Sequence, residues 1–165
     1  MKTLKTVSIM LVLAFSISFA KAQNNVNSIT SAYYSVKNAL AADNAADAQK
    51  GAGKLLAALS APENGLKPDQ QKIFNASVEK LKFDSRHILE SPAIDHQREH
   101  FASLSKNLYE VLKDLKVNTA AVYYQYCPMK KAYWLSDNAA IKNPYYSDKM
   151  MATCGNTKAT LAAVK

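Results

Sequence analysis

Four apolar stripes at helical spacing follow one another between residues 25 and 115, and they constrain the fold more than any other feature of the chain. In the first, Val26, Ile29, Tyr33, Val36 and Leu40 recur at intervals of three and four, which puts them on one side of a helix. Ala41–Asn44 reads as a turn or cap. The second stripe, in residues 45–59, is alanine-rich, with Ala45, Ala48, Ala52, Leu55 and Leu59 on one side. Gly51 and Gly53 weaken that helix by about 1 kcal/mol each relative to alanine, but small residues there also allow close helix packing. Residues 60–65 break the pattern, and Pro68 and Asp69 suit a new helix start. The third stripe passes through Phe74, Val78, Leu81 and Ile88 to about Leu89. Ser91-Pro92 ends it, and the fourth runs from about Ile94 through Phe101, Leu104, Leu108 and Val111 to Leu115. Four helices with three short connections predict a mainly α fold, an antiparallel four-helix bundle over residues 25–116.

After Lys116 the texture changes. Val122–Tyr126 is aromatic and β-branched, as strands are, and Tyr133-Trp134-Leu135 is a second short candidate. The two can form a hairpin across Pro128–Lys131. Asn143-Pro144-Tyr145-Tyr146 is a turn signal. The expectation is a small, irregular β-hairpin unit over residues 117–157, packed on the bundle because a tail of that size cannot bury a core of its own.

The first 22 residues have the form of a secretory signal. Lys2 and Lys5 precede an apolar run from Val7 to Ala20, and Ala20-Lys21-Ala22 places small residues where cleavage requires them. The run is short for a membrane span. The reading is one domain over residues 23–165, periplasmic or secreted, with no membrane insertion once the signal is removed. Its formal charge falls from +8 to +5, since the signal carries three lysines and no acid. Lys130-Lys131 is the one adjacent basic pair, so the basic stripe that nucleic acid requires is missing.

Beyond that signal every sulfur lies between Cys127 and Cys154: the two cysteines, Met129, Met150 and Met151. Thiolate and thioether together select soft ions, above all Cu(I) and Ag(I). Cys127 and Met129 flank Pro128, which stiffens the backbone between them. Met150 and Cys154 are four apart, which on a helical turn shares a face, with Gly155 as the stop; Met151 would point elsewhere. Each half then offers one Cys and one Met, and the halves could close on one ion near the surface, opened by movement of the 136–150 loop. In an exported protein the same two cysteines also invite a disulfide, whose loop closure would contribute roughly 3–4 kcal/mol. The methionines taken singly could be core filler. Tyr123, Tyr124, Tyr126, Tyr133, Trp134, Tyr145 and Tyr146 could furnish the core of the unit or shield a Cu(I) centre from water.

His96 and His100 share a face of the fourth helix, and His87 lies near the end of the third. Imidazole suits zinc and Cu(II), so His87 and His100 are candidate ligands, either joining the sulfurs or forming a second site. His96 reads as a surface residue. The string His96-Gln-Arg-Glu-His100 also matches the inverted zinc-peptidase pattern, which would give a zinc-dependent hydrolase using His96, Glu99 and His100; Glu79 and Glu110 are conceivable third ligands. No nucleophile elbow, phosphate loop or carboxylate cluster accompanies it, and the chain does not read as an enzyme. Arg98, inside the charged run Asp95–Glu99, is expected to form ion pairs that set how the C-terminal unit sits on the bundle.

In these blocks the chain resembles the DUF3347 family of exported bacterial domains, which also occur fused to periplasmic adaptors of copper/silver-type heavy-metal efflux systems. The resemblance rests on Tyr126-Cys127-Pro128-Met129, Trp134-Leu135-Ser136, Ile141-Lys142-Asn143-Pro144-Tyr145 and Met150 through Cys154-Gly155. Gln97-Arg98-Glu99-His100-Phe101 and Leu104-Ser105 add to it. It implies an association with copper or related metals outside the cytoplasm, with an efflux adaptor or another envelope protein as partner. It also implies Cys127, Met129, Met150 and Cys154 as ligands, and Arg98, Trp134, Asn143 and Pro144 as structural residues. Ser147 departs from the family, which usually has glycine there, and serine tolerates a left-handed backbone poorly. A structural or interaction module stapled by Cys127–Cys154 is the alternative function.

Overall fold

The computed structural model describes residues 25–63 and 65–164, so the signal-like segment lies outside the described residues. Each stripe forms a helix: α1 (Val26–Ala41), α2 (Ala45–Ser60), α3 (Pro68–Glu90) and α4 (Ile94–Leu115). Every stripe residue of α1, and of α4 from Phe101 to Leu115, is buried, whereas Ala45 on α2, Val78 and Leu89 on α3 and Ile94 at the start of α4 are half-buried. The boundaries follow local chemistry. Asn44 caps α2 by accepting the Asp47 N–H at 3.0 Å. Pro68 opens α3, and α4 stops where Lys116 turns left-handed, with φ 52°.

Side-chain amides show how the chain reverses at each connection. Asn25 donates to Ala58 O near the end of α2. Gln49, early in α2, donates to Leu89 O late in α3 at 2.8 Å, and Gln70, early in α3, donates to Leu115 O at the end of α4, also at 2.8 Å. Gly51 lets α2 lie close on α1, since a Cβ there would stand 2.9 Å from the Val36 amide nitrogen.

The expected hairpin is present as β1 (Val122–Cys127) and β2 (Ala132–Ser136), antiparallel with Tyr126 opposite Tyr133. A third strand, β3 (Asn156–Leu161), pairs with the other edge of β1, giving the order β2-β1-β3. The C-terminal unit therefore does not end at residue 157. It continues through β3, and Val164 N–H donates to Asn118 O at 2.9 Å. Ser147 lies outside the positive-φ region, so the departure from glycine there meets no backbone strain.

One apolar core runs from the helices into this unit through Trp134, Leu135 and Tyr145. Of the aromatic residues of the unit, Tyr124, Trp134 and Tyr145 are buried and form part of this core. Two polar residues fix the docking. Tyr33 on α1, fully buried, accepts the Leu135 N–H at 2.9 Å and shares a 2.6 Å hydrogen bond with Ser105 on α4. Arg98 on α4 forms ion pairs, as expected, but with Asp43 at 2.8 Å and Asp95 at 3.5 Å on the helical side. It reaches the C-terminal unit through hydrogen bonding, donating to Pro144 O at 3.0 Å, and it also donates to Leu40 O at 3.2 Å.

Candidate metal centre

Strand pairing brings the two cysteines together. Tyr126 on β1 faces Asn156 on β3, so Cys127 at the end of one strand meets Cys154 just before the start of the other. Their Sγ atoms are 3.5 Å apart, and both are free thiols. Cys127 is fully buried and Cys154 half-buried. Asn143 clamps the pair. Its side chain donates to Cys154 O at 2.7 Å and accepts the Tyr145 N–H at 2.9 Å, while its own N–H donates to Ala152 O at 2.8 Å.

Burial pushes the Cys127 thiol up. The Lys130 N–H, the Asn143 side chain, the Cys154 thiol and the Met129 N–H outweigh it and hold Cys127 below its ordinary value. Cys154 moves up, first because its S–H serves Cys127, then through desolvation. The pair thus has one preferred seat for the negative charge, on Cys127, with Cys154 supplying the proton. Tyr146 lies alongside: desolvation, then the charge of both cysteines, raises its phenol.

The methionines are not core filler at two of the three positions. Met129 is 68 % exposed and Met150 is 85 % exposed, while Met151 is half-buried. The α-helical turn expected across Met150–Cys154 is absent. Met151 N–H bonds Asp148 O and Cys154 N–H bonds Met151 O, both at 3.0 Å, a succession of i to i+3 turns. The four-residue spacing of Met150 and Cys154 therefore does not set them on a common helical face. Gly155 does not stop a helix. It has φ +150°, and a Cβ there would stand 2.7 Å from Trp134 Cη2. Asn143, Pro144 and Tyr145 are buried and pin the middle of the 136–150 loop, leaving Ser147–Met150 exposed.

The histidines form a separate constellation. His87 in the last turn of α3 and His96 and His100 in the first turns of α4 bring one ligand atom each to within 4.8 Å of one another, close enough for a metal ion to be held. His96, read as a surface residue, is a full member. Asp84, which nothing in the pattern singled out, is buried and bonds His100 Nδ1 at 3.0 Å. It falls three residues before His87 on α3, the one signal that could have revealed it. Glu79 and Glu110 take no part; each pairs with a lysine on its own helix, Lys82 at 3.0 Å and Lys113 at 2.8 Å. Glu99 is exposed, 3.8 Å from His96.

Four helices, a small antiparallel sheet and these two side-chain clusters define a class of mainly helical domain. The chain belongs to the family described as "Protein of unknown function (DUF3347)", whose pattern matches residues 29–120. That stretch covers the helices and the histidine cluster and stops before β1, so the cysteine blocks lie beyond it. No curated protein and no solved structure matches the chain.

Proposed function

We propose that this protein is an exported, non-catalytic carrier of Cu(I) or Ag(I). It would pass the ion to a partner in the cell envelope, such as a heavy-metal efflux adaptor. In this reading the helices form an antiparallel bundle whose task is to hold the sulfur unit. The observation that carries it is the pair of thiols 3.5 Å apart with exposed thioether chains on the adjoining turns.

The separation also bears on coordination. An ion about 2.3 Å from each sulfur, the usual metal–thiolate length, would subtend about 100° at this separation. That angle suits three or four donors and not a linear pair. Met129 supplies the third, and Met151 or Met150 the fourth. Thioether donors bind without losing a proton, and a carrier benefits from ligands that a partner's sulfur can displace.

Anaerobically reduced, tag-free protein titrated with Cu(I) against a chromogenic Cu(I) chelator tests this. One Cu(I) per chain is expected. Cys127→Ser should abolish it, and Met129→Leu should weaken it with the fold intact. Comparison of Met150→Leu with Met151→Leu identifies the remaining thioether. Failure of the reduced protein to compete with the chelator would remove the proposal.

The same spacing favours a second reading, a disulfide staple. The sulfurs need to close only to about 2.05 Å to bond, and an oxidising compartment supplies the oxidant. Thiol counting on aerobically purified protein separates the two: the staple predicts no free thiol and no Cu(I) binding even after reduction.

A further inference from the structure

We propose that His87, His96 and His100 form a second metal site, for a borderline divalent ion of the Zn(II) or Cu(II) kind, oriented by Asp84. The site is independent of the sulfurs and lies across the α3–α4 connection. Three residues, Ser91–Ala93, separate the two helices. So short a link sets the last turn of α3 level with the first turns of α4, and it is these turns that carry the imidazoles.

The donor set argues for the class of ion. Three neutral imidazoles suit zinc and Cu(II), whereas a soft monovalent ion prefers sulfur. In a tetrahedral site with metal–nitrogen bonds of 2.0–2.1 Å, ligand nitrogens stand about 3.3 Å apart. The present atoms all lie within 4.8 Å of one another. The terminal torsion of histidine is broad, and all three rings are half-exposed, so ring rotation can close the gap without moving the helices.

Asp84 supplies the second observation. It is 3 % exposed, and its Oδ1 meets His100 Nδ1 at 3.0 Å. A carboxylate there fixes the tautomer with the proton on Nδ1, which leaves the Nε2 lone pair free for a metal. Carboxylate–histidine–metal relays of this kind are a regular feature of protein metal sites. An aromatic stack without any ion is the competing account. His87 and His100 do lie parallel, with centroids 4.2 Å apart, and Phe83 flanks His87 at 4.4 Å. Stacking accounts for those rings, but not for a buried carboxylate on His100, nor for His96 standing edge-on to it at 4.7 Å.

The test uses tag-free protein carrying Cys127→Ser and Cys154→Ser, so that its outcome does not depend on the sulfur reading. Titration with Zn(II), followed by calorimetry and thermal melting, should show one ion bound per chain and a melting temperature that rises with Zn(II). A parallel Cu(II) titration followed by electron spin resonance should show nitrogen hyperfine structure. His87→Ala, His96→Ala and His100→Ala should each abolish both signals. Asp84→Asn should weaken Zn(II) by about 10–100-fold, an effect that stacking does not predict. Zn(II) binding that survives all three alanine variants, or none in the parent, overturns the proposal.

Discussion

Lys37 has 2 % exposure, and among the described residues its ammonium has one carboxylate partner, the exposed Asp137 at 3.5 Å, with the Tyr34 ring centroid 5.8 Å away. Burial lowers its pKa, which Asp137 offsets in part. A long, half-exposed ion pair returns little of the desolvation penalty of a buried ammonium. Lys37→Met, similar in length and apolar, should therefore be as stable as the wild type or more so in urea denaturation at neutral pH. The sign of the pH dependence follows. With the folded pKa below the unfolded one, the unfolded chain binds more protons as pH rises towards the ordinary lysine range, so wild-type stability at this site grows with pH. Any advantage of Lys37→Met should shrink as the buffer is made more alkaline; an advantage that widens would show that the ammonium is well paired. Gly155 behaves oppositely. Its positive φ and the Trp134 ring leave no space for a Cβ, so Gly155→Ala should cost about 1–3 kcal/mol in backbone strain alone, read in the same denaturation experiment.

At the level of elements, the two glycines of α2 make a controlled comparison. Alanine is favoured over glycine in a helix by about 1 kcal/mol. At Gly53 an added Cβ meets only Leu89 Cδ1 at 3.5 Å, so Gly53→Ala should gain most of that. At Gly51 it meets the α1 backbone at 2.9 Å and the Val36 side chain at 3.0 Å, so α1 and α2 must separate. Overpacking of that kind costs about 1–3 kcal/mol, and Gly51→Ala should be net destabilising; the two melting temperatures, moving in opposite directions, check it. The helices were legible because each repeats its apolar residues over many turns, and Pro68 and Ser91-Pro92 mark their ends. Strand β3 was not. Its residues are exposed or half-buried, with no apolar alternation to read, and its place is fixed by β1 offering a free edge. Without β3 the meeting of Cys127 with Cys154 could only be supposed. The spacing of Met150 and Cys154 misled for a related reason: four residues apart implies a shared face only on an α-helix, and the chain there makes shorter turns. His96 was read from its own helix alone, although the neighbour that gives it a role, His87, belongs to α3.

Across the whole molecule, the helices and the sulfur unit meet at Arg98. Arg98 is 8 % exposed, and its guanidinium joins three parts of the chain: Pro144 O in the unit, Leu40 O at the end of α1 and Asp43 in the following turn. Pro144 adjoins Asn143, which in turn holds Cys154 O. A continuous line of contacts thus runs from α4 to the thiol pair. Lysine cannot reproduce this fork, because a single ammonium cannot span three acceptors in a plane. Leu40 O also accepts the Asp43 N–H, at 3.1 Å, so the acceptor at stake in Arg98→Lys is Pro144 O, and leaving it unpaired costs about 1–3 kcal/mol. The decisive readout is the alkylation rate of Cys127 well below the unfolding transition. If Arg98 only adds to global stability, alkylation should quicken by no more than the measured stability loss accounts for. If it latches the unit to the helices, the unit can open while the helices stay folded. Alkylation should then quicken further than that, while α4 amide hydrogens keep their protection from exchange. The second pattern is the one expected, since two of the three bonded groups lie at joints between elements and not within one.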